Sequence, residues 1–288
     1  MLPSPLPPLS TEDPEGFAAL LAKVERERGF GCASYKERCL RRRIAVRMRA
    51  TGTHTFADYA RHLDGDAREY DRLLEALTIN VTKLFRNPEA WAALAEQVVP
   101  VLWARGDGPL RVWSAGCASG EEAYSLAALF HRHAERAGAL DRLSRVQVLA
   151  TDIDAGSLAQ AARGRFGDAA FADTSDELRD RYFVPVESDA PRFGGTEREA
   201  IPELRAMVRP ARLDLLGDPL PPGPWDLVAC RNVVIYFERE AQEALFARLH
   251  EVLAPGGVLF LGKVETLLGP VRQRFVAVDQ RERIFRPA

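Results

Sequence analysis

The sequence predicts an α/β protein, with a helical N-terminal region followed by a doubly wound, mostly parallel sheet. Three observations carry the prediction. From about Glu15 to Thr78, apolar residues recur only at helical spacing. From about Pro109 onward, short apolar runs alternate with amphipathic helical patterns, which is the signature of βαβ units. Residues 185–205, PVESDAPRFGGTEREAIPELR, interrupt that alternation with proline and a Gly-Gly pair, marking an inserted loop or small β excursion.

The first fourteen residues hold five prolines and read as an extended arm; with no basic or apolar segment, they do not form a signal peptide. GFAALLAKVERERG places Phe17, Leu20, Leu21 and Val24 on one helical face, and Gly29 closes the helix. SYKERCLRRRIAVRMRATG repeats Leu40, Ile44 and Met48 at steps of four and stops at Gly52. TFADYARHLDG and AREYDRLLEALT continue the helical period, and no strand is expected before Thr78. Beyond a linker at 79–98, the strand-like runs are LRVWSAG, VQVLATDID, WDLVACRNVVIYF and GGVLFLGKVE. YSLAALFHRHAERAG and EREAQEALFARLHEVLAPGG are the helices between them, and FVAVDQRERIFRP closes as a hairpin at a sheet edge.

Apolar residues make up 47% of the 288 and charged residues 28%, as in ordinary soluble domains. A net charge of −2 gives no global pull toward nucleic acid or membrane, and no apolar run approaches the length of a membrane span. Cys32, Cys39, Cys117 and Cys230 form neither a CxxC pair nor a His/Cys cluster. No metal site or disulfide framework is expected, and the setting implied is a reducing cytoplasm.

The most informative stretch is RVWSAGCASGEEAYSLAAL, residues 111–129. Gly116 and Gly120, with Ala118 and Ser119 between, let a ligand approach the backbone after a strand. A helix N-terminus favours anions, so Glu121 and Glu122 conflict with a phosphate ligand. They favour hydroxyls or positive charge instead. The next strand ends in ATDID, where Asp152 is placed to accept both hydroxyls of a ribose, and Asp214 ends a third run. S-adenosylmethionine fits this set, since it has a ribose, no phosphate and a cationic reacting centre.

SYKERCLRRRIAVRM, LTINVTKLFRNPEAW, RVWSAGCASGEEAYSLA, VLATDID, CRNVVIYF and LAPGGVLFLGKVE occur in the order seen in one family. With these motifs the chain resembles the chemotaxis-receptor glutamate methyltransferases, the CheR family, over nearly all its length from about residue 17. NVTKLFR and CRNVVIYF are specific to that family, whereas the glycine turn is general among methyltransferases. The resemblance implies a helical substrate-recognition domain at 15–78 and a Rossmann-like class I methyltransferase domain at 99–288 with an inserted β subdomain near 185–205. It implies S-adenosylmethionine as methyl donor, S-adenosylhomocysteine as product, and glutamate-rich helices of methyl-accepting chemoreceptors as partners.

The family's cofactor residues fall on Asn80, Thr82, Arg86, Glu121, Asp152, Asp214 with Leu215, and Arg231 with Asn232; Gly116 belongs to the turn. Arg231 and Tyr236 are the candidates to orient the acceptor carboxylate. Three positions depart from the family: Asp214-Leu215 for Asn-Leu, Leu84-Phe85 for two phenylalanines, and Lys263-Val264-Glu265 for His-Ser-Glu.

A glutamate acceptor is ionised at pH 7, so methyl transfer to it needs alignment rather than a general base. The absence of a Ser/His/Asp or Cys/His arrangement agrees with that chemistry. Ser34–Ala50 carries Lys36, Arg38, Arg41, Arg42, Arg43, Arg47 and Arg49 against the single acid Glu37. With Leu40–Ile44–Met48 facing inward, several arginines project together toward an acidic receptor helix. Arg38, Arg41, Arg42, Arg43 and Arg47 are the candidate substrate contacts. No nucleic-acid partner and no membrane insertion are expected, and the expected state is a monomer. The competing readings are a non-catalytic module that holds the cofactor or its product, and an RNA methyltransferase. The second lacks aromatics for base stacking beyond Tyr236 and Phe237.

Overall fold

The computed structural model describes residues 13–78, 81–187 and 197–288 and falls into two compact units. Most of the proline-rich arm, Asn80 and the centre of the 185–205 stretch lie outside the described residues.

The helical unit comprises the described residues before Val81 and takes in Tyr236–Glu238. Helix α1 (Pro14–Arg28) starts where the Asp13 carboxylate accepts the Gly16 amide, and ends where Gly29 turns left-handed at φ 67°. Helix α2 (Glu37–Thr51) buries Leu40, Ile44 and Met48, each contributing roughly 1.5–3 kcal/mol by leaving water, and stops at Gly52. Thr55 Oγ1 accepts the Asp58 amide at 3.0 Å and donates to Asp58 Oδ2 at 2.8 Å, a reciprocal cap that starts α3 (Phe56–Gly65). Helix α4 (Ala67–Thr78) buries Tyr70, Leu73 and Leu77.

Pairing is not wholly absent from this unit. Lys36 N donates to the Tyr236 carbonyl and Glu238 N to the Ser34 carbonyl, making an isolated antiparallel bridge between Tyr35 and Phe237. Local periodicity carries no trace of a partner two hundred residues away.

The second unit opens with α5 (Pro88–Gln97) and α6 (Val99–Trp103). It continues through β1 (Leu110–Ala115), α7 (Glu121–Arg136), β2 (Val146–Asp152), α8 (Ala155–Arg163) and β3 (Arg165–Gly167). Then come α9 (Asp176–Tyr182), β4 (Phe183–Val186), β5 (Glu197–Ala200), α10 (Pro202–Met207), β6 (Val208–Arg212) and β7 (Trp225–Cys230). Last are α11 (Arg239–Val252), β8 (Leu253–Leu261), β9 (Phe275–Asp279) and β10 (Ile284–Pro287).

The main sheet runs β6-β2-β1-β7-β8-β10-β9. Its first five strands are parallel; β10 and β9 form the expected antiparallel edge hairpin. Chain order reverses around β1, which has β2 on one side and β7 on the other, so ligands are expected at the carboxyl ends there. Trp113 is fully buried in β1 and donates its indole N–H to Thr151 Oγ1 at 2.9 Å, tying the two central strands together.

Two expectations need correction. The small antiparallel sheet is β3-β5-β4, so it recruits Arg165–Gly167 from ahead of the 185–205 stretch. The run WDLVACRNVVIYF is not one strand: it breaks at Cys230, Asn232 turns left-handed at φ 61°, and Val234–Tyr236 form a short 3-10 turn. No helix among the described residues is long and apolar enough to cross a membrane.

Candidate active site

The glycine turn follows β1 and is stitched to the end of β2. The amides of Gly116 and Cys117 both donate to the Thr151 carbonyl, and the Ala118 amide donates to Asp152 Oδ2 at 2.8 Å. Asp152 Oδ1 takes the Asp154 amide at 3.0 Å. Each carboxylate oxygen has one protein donor and capacity for another. Gly116 is needed for two reasons: its φ is 80°, and a Cβ there would stand 2.5 Å from Val233 Cγ2. That space is filled by the chain's own valine, where the sequence suggested an approaching ligand.

Helix α7 begins with both acids, which occupy the favoured anion position at its N-terminus. Ser119 Oγ donates to both oxygens of Glu121, at 3.0 and 2.8 Å. Ser114 Oγ donates to Glu122 Oε1 at 2.7 Å, and Arg231 Nη1 lies 3.9 Å from Glu122 Oε2. Burial pushes all three carboxyls upward, and Glu122 rises to about 7 against the attraction of Arg231.

Across the sheet reversal, the turn after β7 is held by an acid that the sequence reading left without a role. Glu265 Oε2 accepts the amides of Gly262 (2.6 Å) and Asn232 (2.9 Å). Its Oε1 accepts those of Val233 (2.9 Å) and Val234 (3.0 Å). The available signal was an acid just beyond the apolar run GGVLFLG, at the third position of Lys263-Val264-Glu265.

The 81–87 segment is pinned at several points. Leu84 N donates to the Ala170 carbonyl; Phe85 N donates to Ser125 Oγ, which donates to the Glu121 carbonyl at 2.7 Å. Phe85 and Asn87 are both left-handed, and between them the Arg86 carbonyl accepts Trp91 Nε1 (2.9 Å) and Arg231 Nη2 (2.8 Å).

This construction, a glycine turn with buried carboxylates at the sheet reversal, coincides with two family matches. Residues 80–284 match the family described as CheR methyltransferase, SAM binding domain, and residues 15–78 match CheR methyltransferase, all-alpha domain. The chain belongs to the CheR methyltransferase family. A chemotaxis protein methyltransferase of Listeria monocytogenes serovar 1/2a is 36% identical over 247 residues, covering 86% of this chain and 88% of that one. Chemotaxis protein methyltransferase 1 of Pseudomonas aeruginosa is 33% identical over 250 residues, 85% and 87% of the two chains. An uncharacterized 104.1 kDa protein of Rhodobacter capsulatus is 38% identical over 253 residues, 87% of this chain but 25% of that longer one. S-adenosylmethionine is the cofactor of the CheR domain matched here.

Within the CheR sheet unit, Gly116, Glu121 and Asp152 meet at one turn, and Leu213 N donating to the Asp152 carbonyl brings Asp214 and Leu215 alongside. Asp214 Oδ1 accepts the Leu216 amide, so part of its carboxylate serves its own turn; Leu215 is buried. Thr82 and Arg86 are half-buried, and Asn80 lies outside the described residues.

Arg231 departs from expectation. Its side chain is 2% exposed, over Trp91 and Phe260, so it cannot greet an acceptor carboxylate and instead holds the Arg86 carbonyl. Tyr236 is not at a strand end; it is half-buried and groups with the helical unit.

On α2 the arginines divide. Arg38 and Arg42 are exposed and Arg43 is half-buried. Arg41 lies 3.9 Å over the Phe17 ring, and Arg47 is drawn in to Glu69. Packing a guanidinium on an apolar core removes it from a docking face. Among the described residues there is no group of three or more His, Cys, Asp or Glu side chains that could hold a metal ion.

Proposed function

We propose that this protein transfers methyl groups from S-adenosylmethionine to glutamate side chains on chemoreceptor helices, forming glutamyl methyl esters. One observation carries the reading: Asp152 and Glu121 present buried acceptor oxygens beside a glycine turn, and among the described residues neither has a paired cation. In that arrangement Asp152 would hold ribose hydroxyls and Glu121 a cationic amine, while Asp214, Leu215, Asn232 and Thr82 line the neighbouring chain segments. When bound, S-adenosylmethionine supplies a methyl group on a positively charged sulfur. The protein's task is then to bind, align and exclude water, since the acceptor glutamate arrives ionised.

Arg231 contributes through Arg86, by fixing the 81–87 segment, and Tyr236 remains the candidate to orient the acceptor. Arg38 and Arg42, exposed on the basic helix, offer charge complementary to an acidic receptor helix. The four free cysteines suit a reducing cytoplasm, and the protein is proposed to act as a monomer.

The test is transfer of labelled methyl from S-adenosylmethionine to a purified receptor cytoplasmic fragment. Base-labile label released as methanol supports the ester. Label stable to base overturns carboxyl transfer, and cofactor binding without any transfer leaves the non-catalytic module as the surviving account.

A further inference from the structure

The geometry points to Glu265 as a positioning residue, whose carboxylate anchors the Asn232–Val234 turn and thereby shapes one wall of the cofactor pocket. The inference rests on the cofactor reading above and adds a residue to it. Four backbone amides converge on the two oxygens at 2.6 to 3.0 Å, filling all four lone-pair positions of a carboxylate. The residue is 2% exposed, so no water competes for these donors. Gly262 is part of the device, because a Cβ there would stand 2.6 Å from Glu265 Oε2 and 2.9 Å from Asn232 N.

A turn that needed only packing would not bury a carboxylate, whose desolvation is costly unless fully hydrogen-bonded. What the carboxylate provides is one conformation. Three consecutive amides must face the same point, and Asn232 must stay left-handed for them to do so. The effect does not stop at the turn. Val233 fills the space beside Gly116, so displacing Val233 removes the surface on which the glycine turn rests. A line of contact thus runs from Glu265 through Val233 to the turn that carries Asp152 and Glu121.

The test uses the full chain and Glu265→Gln, with Glu265→Asp as the conservative variant. Three measurements are compared: S-adenosylhomocysteine affinity by calorimetry, amide hydrogen exchange of a peptide spanning 231–235, and kcat against KM for a receptor fragment. For Glu265→Gln the expected results are affinity at least tenfold weaker, exchange at 231–235 at least tenfold faster with β1 unchanged, and lower kcat with receptor KM within twofold. Glu265→Asp should recover part of each.

A folded Glu265→Gln protein with affinity within twofold of wild type and unaltered exchange overturns the proposal. If that variant does not fold, the wild type decides. Protection of the Asn232–Val234 amides comparable to β1 supports the anchor, and exchange as fast as in the exposed turn near Arg281 overturns it. A wild type that does not bind S-adenosylhomocysteine sinks the cofactor reading separately, and the exchange measurement still judges the anchor.

Discussion

The helical unit and the sheet unit both bury acids, and they treat them in opposite ways. In the helical unit Glu69, with its side chain 1% exposed, receives Arg47 through two bonds (2.9 and 2.6 Å) and the Tyr59 hydroxyl at 2.9 Å. Burial works to raise its carboxyl, but Arg47 and Tyr59 together hold it below the usual range. In the sheet unit Glu121, Asp152 and Glu265 have no such cation among the described residues; serine hydroxyls or backbone amides serve them, and burial pushes all three up. An acid matched with its cation inside the protein has settled its charge and reads as structure. An acid left without one and with acceptor capacity to spare, as in Glu121 and Asp152 beside a turn at the sheet reversal, is available to a ligand, whereas Glu265 is saturated by backbone amides.

The comparison breaks most readily at Arg47→Ala, which strips buried Glu69 of its bidentate partner and leaves it the Tyr59 hydroxyl and the more distant Arg72 at 3.7 Å. That variant should lose about 3–5 kcal/mol of stability in chemical denaturation while S-adenosylhomocysteine affinity stays at the wild-type value. A matching loss of affinity would show that the two kinds of acid are not separate.

Glu122 stands between the two classes, with Arg231 at 3.9 Å and a carboxyl that burial pushes from its ordinary 4.5 up to about 7. The folded state therefore holds the Glu122 proton more tightly than the unfolded chain. Its stabilising contribution is whole below about pH 4.5 and is lost as pH rises through about 7. At about 1.4 kcal/mol per pH unit this amounts to about 3 kcal/mol across the window. Glu122→Gln should flatten the fall of unfolding free energy between pH 5 and pH 8, and an unchanged slope would remove Glu122 from the account. Arg231, Glu265 and Arg86 are the charges that face it, and their influence belongs to both curves.

Asp152→Asn keeps the shape but replaces one acceptor with a donor. Calorimetry should show S-adenosylhomocysteine binding weakened by about 2 kcal/mol, the scale of a hydrogen bond to a charged group, with a much smaller change in unfolding midpoint. Equal losses in both would make Asp152 structural, like Glu69. The smallest effect is expected from Arg38→Glu with Arg42→Glu: roughly 1 kcal/mol in receptor KM, diminishing with added salt, and none in cofactor affinity. Insensitivity to salt would reduce the basic face to solvated surface.

How much of this was legible beforehand follows from the range over which each residue is determined. Leu40, Ile44 and Met48, the stops at Gly29 and Gly52, and the closing hairpin are local patterns, and each reads directly. Asp152 and Glu121 are legible because a strand end and a helix start announce where their side chains stand. Other features are set from far along the chain. The apolar run through Cys230 looks continuous because nothing local reveals that an acid 33 residues past Asn232 turns its backbone. Arg231 and Arg47 look like charges for a partner because a sequence does not say which guanidinium lies over Trp91 or beside Glu69. The small sheet was placed late because Arg165–Gly167 is too short to show a period.

The closing hairpin has a consequence for synthesis. In the sheet order, β10 lies between β8 and β9 although β9 is made first. Until the ribosome has passed Pro287, β8 has no neighbour on that side and Phe260 has no Ile284 opposite it. The parallel strands can assemble as they emerge, but the outer edge waits for the last strand to slot in. A nascent chain held before Ile284 would present an open β8 edge to chaperones, and the arrival of β10 would act as the latch.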